Sequence, residues 1–279
     1  MRRSLGPGFF LKNMSITTKL IIAEVIFFVL AGILGLFIPN FIDYIALKPG
    51  MIVQGKYLWT LVTSMFMHAG FMHLFFNMLS LWFVGRFAEN IIGRKRFLYF
   101  YLISGIIAGI VFALLAGFFG GGDLGRLFGS PDISGVGASG AIFGIVGVVS
   151  VLTPFNRVYL IAGPLIAIVI QVIAESFFGN GALISLLGIA VSIYIFISIF
   201  SMLSFNRRTA RIAVPIEMDF WLLPVIAIVP LVVIGLFVPL PIGNTAHFGG
   251  LLAGLIYGYY LRKKYRKKVK MLDSIYRRQ

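Results

Sequence analysis

Ser139, His247, His73 and Asn77 supply a nucleophile, a base and hydrogen-bond donors to a chain that is otherwise mostly apolar. Each of the 3 histidines lies in a polar cluster at the end of a hydrophobic run: His68 and His73 in MFMHAGFMHLFFNM, and His247 in GNTAHFGG. Ser139 lies in GVGASGAIFG, where Gly137, Ala138 and Gly140 leave its hydroxyl uncovered and allow close backbone approach. A neutral imidazole can take the hydroxyl proton as the oxygen attacks a carbonyl, then return it to the leaving amine. His73 and Asn77 are four apart and share a helical face, so both can aim donors at one developing negative oxygen, together with the Ser139 backbone N–H. His68 lies upstream of them, and Phe143, one turn after Ser139, can support an imidazole face. No carboxylate near His247 completes a triad, so a dyad is the simplest arrangement. Spacing alone leaves a structural alternative open, in which the histidines hydrogen-bond across helices and hold a bundle together.

Other chemistries fit less well. Metal binding by the histidines would call for a carboxylate, but no Asp or Glu lies near them and no HExxH occurs. Met65, Met67, Met72 and Met78 read as apolar packing and not as a copper site. The Gly-rich stretch Gly117 to Gly129 lacks a following GK[ST] and reads as a mobile outer loop, not a phosphate loop. With no cysteine, disulfide and thiolate chemistry are excluded.

The elements that must position these residues are membrane helices. Of 279 residues 59% are hydrophobic and 12% charged, and the mean hydropathy is +1.00, more apolar surface than a soluble core requires. Eight candidate spans fall at 20–38, 70–88, 98–118, 138–152, 158–178, 182–204, 221–239 and 246–260. The first run continues to Ile38 without a small-residue cleavage site, which favours a retained span over a signal peptide. The net charge of +15 sits between the apolar runs and at the ends, the pattern of topology signals and not of nucleic-acid binding. With the amino end cytoplasmic, all but Lys48, Lys56 and Arg126 of the 24 Lys and Arg fall inside, and both termini are cytoplasmic. The segments are then a basic cytoplasmic stretch 1–19, a membrane domain 20–260 and a basic cytoplasmic tail 261–279. Glu24 is expected at the cytoplasmic interface. The second, fourth and eighth spans run from outside to inside, so His68, His73, Ser139 and His247 share an outer depth where water can reach them. Gly140 and Gly144 in the fourth span, and Gly250, Gly254 and Gly258 in the eighth, form small-residue steps that let the two helices meet and bring His247 against Ser139.

The chain resembles the rhomboid family of intramembrane serine proteases. The resemblance runs through HAGFMHLFFNM, FAENIIGRKRFLYFYLISG, GVGASGAIFG and AHFGGLLAG, in that order. It implies an all-α polytopic fold with a six-helix core, Ser139 as nucleophile, His247 as general base, His73 with Asn77 at the oxyanion, and His68 as the additional histidine before the second span. It also implies membrane-anchored protein substrates in a lipid bilayer, cleaved near the extracytoplasmic face, with no metal or organic cofactor, in a setting such as a prokaryotic plasma membrane. Two departures stand out. Thr60 follows Trp59 where the family often has Arg, although Thr63 is present. Three apolar runs, where the core needs one, lie between the fourth and eighth spans; 158–204 reads as an inserted helical pair, interrupted by Pro164 and tightly turned at Gly179-Asn180-Gly181, giving about eight spans in all. The alternative is a catalytically inactive relative that binds membrane clients, which need not keep both Ser139 and His247.

The orientation predicts that single cysteines at positions 94–96, 207–211 and 262–270 resist impermeant thiol reagents applied to intact cells, whereas those at 120–132 react. External labelling of the first three groups would reverse the topology.

Overall fold

The computed structural model describes residues 13–179, 181–204, 206–237 and 243–277. Residues 1–12 of the basic amino-terminal stretch, Asn180, positions 238 and 239 of the seventh candidate span, and the last two residues of the tail lie outside them. By Cα packing the chain divides into two compact units, one of 1–152 with 224–270 and one of 153–223 with 271–279.

In the first unit, α1 (Ile16–Phe37) opens with the Ser15 hydroxyl accepting from Thr18 N at 3.1 Å. The Glu89 carboxylate, from a different helix, accepts from Ile16 N and Thr17 N at 2.9 Å each and from Thr17 Oγ1 at 2.7 Å. A negative group therefore satisfies amides that a helix start leaves without intrahelical acceptors. Arg94 flanks Glu89 at 3.6 Å and also donates to Met14 O. Three short helices, Phe41–Ile45, Pro49–Val53 and Thr60–Phe66, occupy the segment between the first two candidate spans. Thr63 Oγ1 donates to Ile45 O and Trp59 Nε1 to Tyr44 O, tying this segment together; buried Thr60 donates to Tyr57 O at 2.7 Å.

α2 spans Phe71–Ile92 with a π-type turn over Leu81–Gly85, and Gly93, at φ +87°, reverses the chain into α3 (Arg94–Phe119). The stretch 117–129, expected as a mobile loop, contains a 3-10 turn at Gly122–Leu124 and a short helix at Gly125–Phe128. α4 (Ser139–Leu152) has 14 residues, about 20 Å, too short for a ~30 Å hydrocarbon layer. It is buried along nearly its whole length, packed by α3 and by α8 (Asn244–Lys264). α8 continues beyond the expected end at 260, and the tail forms α9 (Arg266–Tyr276).

The second unit departs from an all-helical reading. Residues 158–161, expected to begin the fifth span, belong with Arg157 to a strand, β1 (Arg157–Ile161), paired antiparallel with β2 (Pro215–Asp219), with Arg157 opposite Asp219 and Ile161 opposite Pro215. Arg157 also reaches Asp219 at 3.3 Å and Glu217 at 3.9 Å. A short apolar run has no period that separates strand from buried helix, so only the pairing decides. α5 (Ala162–Phe178) therefore starts later than position 158, and Pro164 sits in its first turn, where a missing N–H costs little, instead of interrupting it. α6 (Ala182–Leu203) packs against α5, and Tyr194 Oη donates to Ile212 O at 2.8 Å. The seventh candidate span resolves into a 3-10 turn at Phe220–Leu222 followed by α7 (Leu223–Phe237). Among the described residues 4 helices, α1, α2, α3 and α6, are long and apolar enough to cross a membrane, so the protein is predominantly helical and multi-pass.

The α4–α8 contact is made backbone to backbone. A Cβ at Gly250 would overlap Gly140 O, and one at Gly254 would overlap Gly144 O. Gly32 in α1 has nothing within 4 Å of its Cβ position. Gly250→Ala and Gly254→Ala should each destabilise by roughly 1–3 kcal/mol, seen as a lower Tm in lipid or detergent, while Gly32→Ala should leave Tm unchanged or raise it.

Candidate active site

Ser139 is the first residue of α4 and His247 lies in the first turn of α8, so the glycine contact brings two helix starts together. Ser139 Oγ and His247 Nε2 are 2.8 Å apart. With Nε2 accepting from the hydroxyl, the neutral ring carries its proton on Nδ1, and this buried Nδ1 has no hydrogen-bond partner among the described residues. The arrangement is a pair without a third polar member. The Phe143 ring stacks on His247 with centroids 4.4 Å apart and planes inclined by 18°.

The glycines hold this pair in register. Gly140 lies against Ala108 and Gly144 against Ser104, both on α3, while Gly258 packs on Val148 and Val151. Gly147, which was not singled out from the sequence, belongs to the same seam: its Cβ would stand 2.7 Å from Leu251 O. The signal was present as a third glycine in the fourth apolar run, but at a spacing of three instead of four.

His73 lies next to Ser139 across Gly137. A Cβ on Gly137 would stand 2.8 Å from His73 Cε1 and 2.9 Å from Nε2, so the imidazole lies directly on the glycine two residues before Ser139. Gly137 also has φ +119°, a conformation strained for L side chains, and its N–H donates to Ser64 O at 2.8 Å. His73 Nδ1 accepts from Ala69 N at 3.4 Å. That bond assigns the ring proton of a neutral His73 to Nε2, the nitrogen on the Gly137 side, which makes it a donor there. Asn77, 6% exposed, donates one amide hydrogen to His73 O at 2.8 Å and retains a second. The Ser139 N–H belongs to the first turn of α4, where amides have no intrahelical acceptor.

His68 is not on α2 but in the loop before it, fully buried, with its ring edge-on to His73 at 5.2 Å between centroids. Glu24, expected at the cytoplasmic interface, is buried inside the protein. It lies within α1 with no exposed surface, accepts from Tyr101 Oη at 2.7 Å, and brings Oε2 to 4.0 Å from His68 Nδ1. Its position among apolar residues in one dimension concealed the three elements that meet there.

A model of the rhomboid domain matches residues 55–194 and 165–264. A putative rhomboid protease from Bacillus subtilis strain 168, YdcA, is 38% identical over 100 residues, which is 36% of this chain and 43% of the relative. The rhomboid protease GluP of the same bacterium is 38% identical over 112 residues, covering 40% of this chain and 19% of its own length. RHOMBOID-like protein 1 of Arabidopsis thaliana is 41% identical over 102 residues, 37% of this chain and 23% of the relative. The matched region thus spans less than half of each of these curated relatives.

An imidazole-activated serine should react with a fluorophosphonate where an ordinary helix serine does not. Labelling should map to Ser139, vanish in Ser139→Ala and slow by ~10²-fold or more in His247→Ala, as followed by mass spectrometry of the modified peptide. Label on another serine at the wild-type rate would refute the assignment.

Proposed function

The chain belongs to the rhomboid family, and on that premise we propose that it is an intramembrane serine endopeptidase that cleaves membrane-anchored proteins near the extracytoplasmic face. The observation that carries this reading is the 2.8 Å contact between Ser139 Oγ and His247 Nε2 beneath the Phe143 ring. Ser139 Oγ attacks the scissile carbonyl while its proton passes to His247 Nε2. The carbonyl oxygen becomes an oxyanion, met by Ser139 N–H, His73 Nε2–H and the second amide hydrogen of Asn77. The imidazolium, supported on its face by Phe143, gives its proton to the leaving amine as the C–N bond breaks. His247 then deprotonates a water that attacks the acyl ester, and the proton returns to Ser139 Oγ as the ester bond breaks.

The same reading takes α1 to α4, α7 and α8 as the six-helix core, with α5 and α6 as an inserted pair, eight spans in all and both termini cytoplasmic. Support comes from the charge distribution and from the two separate, overlapping segments over which the domain model matches. The membrane is that of a prokaryotic cell surface, and the partners are single-span or otherwise anchored proteins. A substrate helix hides its carbonyls in internal hydrogen bonds, so cutting requires a segment that unwinds near the outer interface. Gly lowers that cost relative to Leu by about 1 kcal/mol per residue.

Purified protein in liposomes should cleave single-span substrates, and Ser139→Ala should abolish cleavage. Asn77→Ala should lower kcat by ~10²-fold with KM little changed, because its contact strengthens as charge develops. Substrates with Gly one or two turns below a fixed cleavage sequence should be cut faster than their Leu counterparts. Undiminished cleavage by Ser139→Ala would reject the reading.

A further inference from the structure

Glu24 occupies the ninth position of α1, about 12 Å along it, where a carboxyl is costly unless its oxygens are used. Oε1 is used by the Tyr101 hydroxyl of α3. Oε2 has no hydrogen-bond partner among the described residues, and the His68 ring makes no hydrogen bond of regular geometry, with the Phe66 carbonyl as its nearest backbone acceptor. Glu24 Oε2 and His68 Nδ1 face one another at 4.0 Å, both fully buried. Phe28, one turn after Glu24, meets the His68 ring edge-on at 6.5 Å, and His73 meets it edge-on at 5.2 Å. The His68 ring is thus held between α1 and the first turn of α2. The next residue, Ala69, is the one whose N–H binds His73 Nδ1. Placement of His68 therefore bears on His73 twice, through the ring it leans on and through the amide that directs its tautomer.

From this convergence we infer that Glu24 is a positioning residue for the oxyanion side of the site, holding His68, with Tyr101 as its anchor, so that His73 keeps Nε2–H turned toward Gly137. The inference rests on the proposed protease reading. It explains why three polar side chains from α1, the loop before α2, and α3 meet in an apolar interior. A purely structural tie would need only the Tyr101 hydrogen bond.

The test uses the full chain in liposomes with one single-span substrate. Glu24→Gln keeps the size and the acceptor for Tyr101 but replaces the carboxyl oxygen facing His68 with an amide nitrogen. By analogy with carboxylates that orient metal-binding imidazoles, it should lower kcat about 10-fold, with KM within about two-fold and a wild-type Tm. In a His68→Phe background the same substitution should change kcat by less than about two-fold, since its route of action is gone. Glu24→Asp, which keeps the carboxyl but shortens the reach, should fall between wild type and Glu24→Gln. Full kcat in Glu24→Gln, a loss equal in both backgrounds, or a loss that tracks only Tm across the Gln and Asp variants would overturn the inference. Ser139→Ala is run alongside: persistent cleavage there sinks the protease reading, whereas Ser139-dependent cleavage without Glu24–His68 coupling sinks only the role of Glu24.

Discussion

The backbones of α4 and α8 touch, and the geometry of the site follows from that contact. Within a bilayer there is no hydrophobic gain from pressing two apolar helices together, so close packing of small residues carries the association. At Gly250 and Gly254 the opposing atoms are carbonyl oxygens, which cannot move aside as a side-chain end would. A larger residue would push the helix axes apart. The Ser139–His247 pair tolerates little displacement, since proton transfer needs hydrogen-bond distance and a misplacement of about 1 Å can cost ~10²-fold in rate. The glycines thus belong to the chemistry although none of them reacts.

α1 is held by a different kind of force. Only 17% of its most apolar window is buried, so side-chain packing does little to locate it. Directional polar ties do that work: Glu89 on the first-turn amides at one end, and Tyr101 on Glu24 farther along. Buried hydrogen bonds have narrow geometry and are costly to leave unmade where water is excluded. They set both the height and the rotation of α1, and rotation decides which face Glu24 and Phe28 turn toward His68.

The parts of this arrangement legible in the sequence were those encoded by local pattern. Apolar runs located the long helices, and the spacing of Gly140, Gly144, Gly250, Gly254 and Gly258 pointed to the helix pair that brings Ser139 and His247 together. The illegible parts depend on partners distant in the chain. Residues 158–161 read as the beginning of a helix because their strand partner, 215–219, lies beyond two further apolar runs. The helices between 41 and 66 are too short to show a period, and their anchors, the carbonyls of Tyr44 and Ile45, have no sequence signature. Glu24 looked interfacial because its distance from the first basic residues is short, whereas its burial comes from Tyr101 and His68.

The three helices that carry the site all present their amino-terminal ends to it: Ser139 opens α4, and His247 and His73 lie in the first turns of α8 and α2. A helix start carries roughly half a positive charge and amides without intrahelical acceptors. Three such ends directed at one region form a fixed positive environment before any substrate arrives, and such preorganisation stabilises an oxyanion without reorganisation during the reaction. In the proposed reaction the same field would oppose an imidazolium at His247, and a carboxylate would relieve that repulsion at the expense of the oxyanion. The stacked ring of Phe143 offers another solution, because its π-face favours the cation locally while adding no net charge. A pair supported by an aromatic ring, instead of a triad ending in an acid, is thus the arrangement that suits a site built from converging helix starts.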